Sequence, residues 1–341
     1  MKESKTLRFG VIGAGRIGKI HAENLATRIP GVEVVAIADI DLKSAQDLTQ
    51  RLHIPAALTD YHAILSDPSI DAVAICSSTD THARIVIEAA AAGKHIFCEK
   101  PIDHDLAKID AALEAVQKAQ VKLQIGFNRR FDANFRKVRQ MVAEGKVGKT
   151  HILRITSRDP APPPVSYVKV SGGMFLDMTI HDFDMARYLI GSEVVEVYVA
   201  AGVMVDPGIG EAGDVDTAVI TLRFENGTIG TIDNSRQAVY GYDQRVEVFG
   251  SGGMVSTLNN LPDSHTYSTS DGVHSAKPLY FFLERYMDSF ITEMKEFAQC
   301  IQEDKTPPVT GIDGRIPVLM GMAAKRSYLE HRPVLLSEVG K

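Results

Sequence analysis

The sequence predicts two domains: an N-terminal α/β domain built on a parallel sheet, then a C-terminal α+β domain whose sheet is mostly antiparallel. Three observations predict it. The 341 residues are enough for about two cores at roughly 150 residues each. Up to residue 125, short apolar runs alternate with helical stretches, as in a sheet covered on both faces. From Val194 to Val255 strands follow one another without helices between them, which implies antiparallel pairing. The expected domains are 1–125 and 126–341.

In the first half, Leu7–Ile12 is a short apolar run with a β-branched end, and Arg16–Ile29 has helical spacing. Val34–Ala38 is apolar again and Leu42–Leu52 helical. Ala72–Cys76 and His95–Cys98 read as buried strands, with Ala-rich helices at Thr81–Ala92 and Leu106–Ala119, and Leu123–Ile125 closes the series. Gly31 and Gly93 stand where helices are expected to stop.

The second half opens with a helix over Phe135–Ala143, a turn at Gly145-Lys146-Val147-Gly148 and a strand from Ile152 to Ile155. Pro160 and Pro162-Pro163-Pro164 force an irregular loop. One helix is expected over Phe175–Leu189. Asn226-Gly227 is a hairpin turn between Ala218–Phe224 and Thr228–Ile232. Helices return at Phe281–Gln302 and Ile316–Glu330.

Apolar residues make up 45 % and charged residues 23 %, which excludes disorder, collagen and coiled coil as the dominant state. Lys plus Arg number 37 against 43 Asp plus Glu, a net charge of −6. Nucleic-acid and anionic-membrane partners need clustered positive charge, so neither is expected. Cys76, Cys98 and Cys300 lack CxxC spacing, so neither a disulfide framework nor a metal site is expected. The stretch Met1–Thr6 turns polar where a signal peptide needs an apolar run, and no run nears the ~20 residues of a membrane span. A cytoplasmic, reduced protein is expected.

Gly13-Ala14-Gly15-Arg16-Ile17-Gly18 is a G-x-G-x-x-G that follows a strand and opens a helix. Gly13 permits the tight turn, Gly15 lets a pyrophosphate approach the backbone, and Gly18 lets the helix pack on the strand. The helix N-terminus presents free N–H groups to the phosphates. Asp39 ends the next strand, where a carboxylate accepts both ribose hydroxyls of adenosine and repels a 2′-phosphate. NAD is therefore expected rather than NADP. Beyond the strand ending at Cys76 comes Ser77-Ser78-Thr79-Asp80-Thr81-His82. Its hydroxyls either line the cofactor or cap the next helix, and both can hold.

Lys100, in Phe97-Cys98-Glu99-Lys100-Pro101, lies at the lip of the next strand, facing the same crevice. On a helix, Asp177 and His181 are i and i+4 and share a face, with Asp184 continuing the stripe. A carboxylate so placed orients an imidazole for proton transfer. The same residues also fit a packed histidine with an incidental acidic neighbour, or a metal site, which the lack of further ligands argues against.

Glu99-Lys100-Pro101 after such a half, followed by Gly172-Gly173-x-x-x-Asp177-x-x-x-His181, resembles the Gfo/Idh/MocA family of NAD(P)-dependent oxidoreductases, over essentially the whole chain. Within it, the chain is most similar to the inositol-oxidising branch. That likeness is carried by Gly126-Phe127-Asn128-Arg129-Arg130-Phe131-Asp132, Ser157-Arg158-Asp159-Pro160, Asp177–Asp184 and Tyr240-Gly241-Tyr242-Asp243. The resemblance implies a Rossmann domain plus an α+β domain with an open, mostly antiparallel sheet that forms a homotetramer or homodimer. It implies a catalytic set of Lys100, Asp177 and His181, and contacts to a small cyclic polyol from Arg130, Asp159, Thr179 and Tyr240. The cofactor contacts expected are Gly13, Gly15, Arg16, Ile17, Asp39, Ser77, Thr79, His82, Glu99 and Lys100. The implied activity is NAD-dependent oxidation of a secondary hydroxyl of myo-inositol, or a related isomer, to the inosose ketone in inositol catabolism, with His181 as general base. Other readings are a pyranose dehydrogenase or reductase, a hydrolase that recycles bound NAD, and a non-enzymatic NAD-sensing regulator.

Overall fold

The structure, a computed structural model, describes residues 6–340. Of the polar N-terminal stretch singled out in the sequence, all but Thr6 lies outside those residues. The chain divides into two compact units. The first runs through Phe131 and takes in Asp288–Ile316; the second holds Asp132–Met287 and the chain from Pro317 onward.

The first unit is a parallel α/β sandwich. Its strands are β1 (Leu7–Ile12), β2 (Val32–Ala38), β3 (Ala56–Leu58), β4 (Ala72–Ile75), β5 (His95–Glu99) and β6 (Leu123–Gly126). Between them run α1 (Arg16–Arg28), α2 (Leu42–Leu52), α3 (His62–Ser66), α4 (Thr79–Ala91) and α5 (Leu106–Ala119). The sheet order is β3-β2-β1-β4-β5-β6 with every pair parallel, the Rossmann order, which reverses between β1 and β4. Helices on both faces explain why β1 and β4 read as unbroken apolar runs: Phe9, Val11 and Ala72 to Ile75 are all buried. Strand β3 and helix α3 escape sequence reading because three and five residues are too few to show a period. Helix α4 begins at Thr79, two residues before the expected start, and Ser78 stands at its N-cap without a side-chain capping bond.

The stretch Asp288–Ile316, which the sequence assigned with the second domain, lies in the first unit for a packing reason. Met294, Phe297 and Ala298 join Phe9, Leu25 and Phe97 in one core cluster. The Phe9 and Phe297 rings meet edge to face at 6.1 Å.

The second unit contains α6 (Ala133–Ala143), β7 (Thr150–Arg158), α7 (Val165–Val168), α8 (Gly173–Asp177), α9 (Thr179–Ile190) and β8 (Val194–Gly202). It continues with α10 (Pro207–Glu211), β9 (Thr217–Phe224), β10 (Ile229–Ser235), β11 (Asp243–Gly250) and β12 (Gly253–Ser256). A separate ribbon of β13 (Thr266–Thr269) and β14 (Gly272–Ser275) follows, then α11 (Phe282–Arg285). Of the remaining elements, α12 (Met287–Gln302) from Asp288 on and the start of α13 (Gly311–Glu330) fall in the first unit, and the rest of α13 and β15 (Val334–Leu335) in the second. The large sheet has the order β12-β11-β7-β10-β9-β8-β15; β7 and β10 pair in parallel and the other pairs are antiparallel. Strand β9 buries Ala218, Ile220, Leu222 and Phe224 on one face and leaves the alternate residues on the other, as an open sheet does. The expected hairpin is present: Gly227 has φ +86°, and Asn226 Oδ1 accepts from the Thr228 amide at 3.0 Å.

The single helix expected over Phe175–Leu189 is two, joined at Met178. The Met178 amide still donates to Met174 O, but the His181 amide donates to Met178 O, three residues back, at 3.3 Å. The chain tightens there, so Asp177 closes one helix and His181 sits in the first turn of the next. Among the described residues no helix is long and apolar enough to cross a membrane.

Candidate active site

In the first unit the sequence-predicted residues gather at the carboxyl ends of the strands. Gly13 leaves β1 with φ +104°, and a Cβ there would press on the backbone of Cys76 and Ser77. A Cβ on Gly18 would collide with the Gly13 carbonyl. Gly15 is different: a Cβ there would meet no protein atom within 4 Å. The fold therefore demands glycine at 13 and 18 but not at 15, where a Cβ would project into open space. Arg16 and Ile17 form the first turn of α1. Asp39 ends β2 as expected. Its Oδ2 accepts from the Ala14 amide at 2.6 Å and its Oδ1 from the Asp41 amide at 2.8 Å, so the carboxylate is fixed beside the glycine turn. These residues fit a dinucleotide.

The other strand ends are tied together. Ser77 Oγ lies 2.7 Å from Thr81 Oγ1. His82 is buried, with Nδ1 2.8 Å from Pro101 O and Nε2 3.0 Å from Ser77 O. Its ring bridges the loops after β4 and β5, so its contribution is to hold them. Glu99 is buried too: Oε1 lies 2.7 Å from His21 Nε2, and Oε2 accepts from the Lys100 amide at 3.2 Å. Lys100 is thus pinned on both sides, at its own amide by Glu99 and at the Pro101 carbonyl by His82. Arg130 donates from Nη2 to Asp313 Oδ1 at 2.9 Å. Burial alone would raise the Asp313 carboxyl, but Arg130 and Thr310 hold it below its usual range.

In the second unit Asp177 is gripped at both oxygens. Tyr167 donates its hydroxyl to Oδ1 at 3.0 Å, and Arg236 donates from Nη2 to Oδ2 at 3.2 Å. Arg236 also donates from Nη1 to Asp159 Oδ2 at 3.3 Å. Tyr240 is partly exposed; its hydroxyl donates to Asp243 Oδ2 at 2.6 Å and accepts from Arg158 Nη1 at 3.1 Å. Burial and then the Asp243 bond push the Tyr240 phenol above its usual range. His181 is half-buried in the first turn of α9.

Thr179, expected to contact the polyol, makes a bond within its own unit. It is fully buried and its hydroxyl donates to Asn234 Oδ1 at 2.6 Å, while Asn234 Nδ2 donates to Asp182 Oδ2 at 2.9 Å. The bond ties α9 to β10.

Sequence reading missed Tyr167, Asn234, Arg236 and Asp313. For Arg236 a signal existed: the alternation of β10 runs on to Ser235, three residues past the expected end, which puts Arg236 just beyond a strand end. His21, Glu99 and Glu293 were also missed as a group, a buried set whose ligating atoms lie within 4.8 Å of one another. His21 and Glu99 are hydrogen-bonded at 2.7 Å, and Glu293 lies 3.8 Å from His21.

The model of an oxidoreductase family described as an NAD-binding Rossmann fold matches residues 7–127, and that of the GFO/IDH/MocA C-terminal domain matches residues 135–256. The chain is 52 % identical to a myo-inositol 2-dehydrogenase of Thermotoga maritima, over 98 % of this chain and 99 % of that one. It is 44 % identical to an inositol 2-dehydrogenase of Rhizobium meliloti, over 97 % of this chain and all of that one. Among solved structures, a scyllo-inositol dehydrogenase of Lactobacillus casei with bound NAD(H) and scyllo-inositol superposes with a TM-score of 0.92 at 30 % identity, covering 98 % of this chain and 100 % of that one.

Proposed function

The chain belongs to the Gfo/Idh/MocA oxidoreductases, and we propose that it oxidises a secondary hydroxyl of an inositol, myo-inositol foremost, to the inosose ketone with NAD. The observation that carries the substrate class is the 52 % identity over 98 % of the chain to a myo-inositol 2-dehydrogenase. The solved relative holding scyllo-inositol favours that isomer as the second reading.

Bound NAD supplies the hydride acceptor; the rest falls to side chains. Gly15 and the α1 N-terminus take the pyrophosphate and Asp39 the adenosine ribose. His181 accepts the proton of the reacting hydroxyl. Asp177, fixed by Tyr167 and Arg236, stabilises the imidazolium that forms. Lys100 steadies the developing alkoxide as a cation. Asp159, Arg130 and Tyr240 hold the polyol.

A homotetramer or homodimer is part of the same reading. Phe249, Ile152 and Ile229 stand side by side across β11, β7 and β10, each 42 to 52 % exposed, an apolar row suited to a second copy. The three free, buried cysteines accord with a cytoplasmic enzyme.

The test is NADH formation with a panel of inositol isomers and aldoses, with NAD and NADP in parallel. Turnover of an inositol with NAD is expected. Turnover of a pyranose with none of any inositol would overturn the proposal. In the same assay His181→Ala should cut turnover by about 10²–10⁴-fold while NADH binding persists; near-normal turnover would remove His181 from the role of base.

A further inference from the structure

We propose that Arg236 is a positioning residue of the reaction, holding Asp177 and Asp159 in register through one guanidinium. The inference rests on the roles given to those two carboxylates above.

Arg236 is 4 % exposed. A guanidinium so buried is tolerable only where its charge is paired and its donors are used. It spends one arm on each carboxylate, Nη1 on Asp159 and Nη2 on Asp177. The two lie on different elements: Asp159 directly follows β7, and Asp177 ends α8. They have no backbone in common that could fix their spacing. The planar fork supplies it, because its two arms stand at a set angle.

The fork is itself anchored. Strands β7 and β10 run parallel and their last paired residues are Arg158 and Ser235. Asp159 and Arg236 therefore leave neighbouring strands at the same end. The Asp159 amide donates to Ser235 O at 2.9 Å, and the Arg236 amide donates to Asp216 O at 2.8 Å. Asp216 is in turn held by the amides of Met204, Val205 and Asp206. The α8 end is the less constrained partner, since the helix breaks at Met178 immediately after Asp177. Tyr167 steadies Oδ1 of that carboxylate, and Arg236 sets where Oδ2 points. Two carboxylates close to one point repel each other; one cation between them removes that repulsion. Arg236 thus couples the group that works on the proton to a group that holds the polyol.

Arg236→Gln removes both ion pairs. A lysine at this position keeps the charge but reaches only one carboxylate at a time. Steady-state NADH formation with myo-inositol would be measured for Arg236→Gln, Arg236→Lys and Asp177→Asn, with NADH binding by fluorescence and thermal unfolding on each. The expected result for Arg236→Gln is a fall in kcat of about 10²-fold, the loss from a misplacement of about 1 Å, with a raised KM for the polyol and unchanged NADH affinity. Arg236→Lys should restore one of the two parameters more than the other. A side chain serving stability alone would lower the melting temperature and leave kcat and KM of the folded enzyme alone. Folded Arg236→Gln with normal kcat and KM overturns the inference. Should that variant fail to fold, Arg236→Lys decides: both parameters normal overturns it, and a loss in either supports it. Asp177→Asn separates the two levels. If it turns over normally, the proposed catalytic set is wrong; if it is inactive while the Arg236 variants are normal, only this inference fails.

Discussion

Replacing Glu293 by glutamine should make the stability of this protein less dependent on pH. Glu293 lies on α12 and is fully buried, and neither of its carboxylate oxygens has a hydrogen-bond partner among the described residues. The titratable groups around it are His21 from α1, whose Nε2 is 3.8 Å away, Glu99 from β5, and the thiol of Cys76 beyond β4. The rings of Phe97 and Phe290 pack edge-on against His21. Burial, and after it the charge of Glu99, push the Glu293 carboxyl well above its ordinary 4.5. The native state therefore keeps a proton that the unfolded chain releases. Stability is greatest below 4.5 and falls as pH rises toward the elevated native value. One proton is worth about 1.4 kcal/mol per pH unit. Between pH 5.5 and 7.5, stability should fall more steeply with pH in wild type than in Glu293→Gln, by up to about 1.4 kcal/mol per pH unit while the native carboxyl keeps its proton. The glutamine amide carries a burial cost of its own, but that cost does not vary with pH, so the slope is diagnostic and the offset is not. Urea unfolding of both proteins at several pH values reads it directly. Parallel stability curves across that range would show that Glu293 is ionised in the native state, and the reasoning would fall.

The glycine turn gives a paired prediction. Gly18→Ala should destabilise the first unit, because its Cβ collides with the Gly13 carbonyl, whereas Gly15→Ala should leave the melting temperature of the cofactor-free protein unchanged and weaken NAD binding at least tenfold, by about 1.4 kcal/mol or more. Calorimetry together with NADH titration checks both, and equal melting temperatures in the two variants would refute the steric argument. Asp39→Ala should weaken NAD and relax discrimination against NADP, since it removes the carboxylate that repels a 2′-phosphate; an unchanged ratio of kcat/KM for the two cofactors would deny Asp39 that role.

Local pattern carried the parallel sheet far. Strands β1, β2, β4, β5 and β6 are four to seven residues long and mostly buried, so each carries a mostly apolar stretch that needs no distant information to recognise. The glycine turn and Asp39 were legible for the same reason: their chemistry is a property of position along one β-α-β unit. What pattern does not encode is which surface an apolar face meets. Helix α12 has a clear amphipathic stripe, yet nothing in the stripe says that Met294 and Phe297 pack beside Phe9, far back in the chain. The tightening at Met178 was equally hidden, because two helices joined without a glycine or proline read as one period.

Buried charge was the hardest to see, and the reason is physical. An arginine or glutamate in isolation reads as surface, since an unpaired charge inside a protein is prohibitively costly. Its burial becomes intelligible only with its partners, and these lie 59 and 77 positions away for Arg236. Glu99 meets His21 across 78 positions. The two buried networks also differ in kind. Around Arg236 every carboxylate named has a donor, so the charges are compensated and the arrangement is rigid. Around Glu293 two carboxyl groups face one imidazole, and burial together with the charge of Glu99 favours the protonated form of Glu293. Substitution should therefore act differently on stability at the two places. Removing the Arg236 cation takes a partner from two carboxylates, while Glu293→Gln removes a proton equilibrium and so shows in the pH slope of stability.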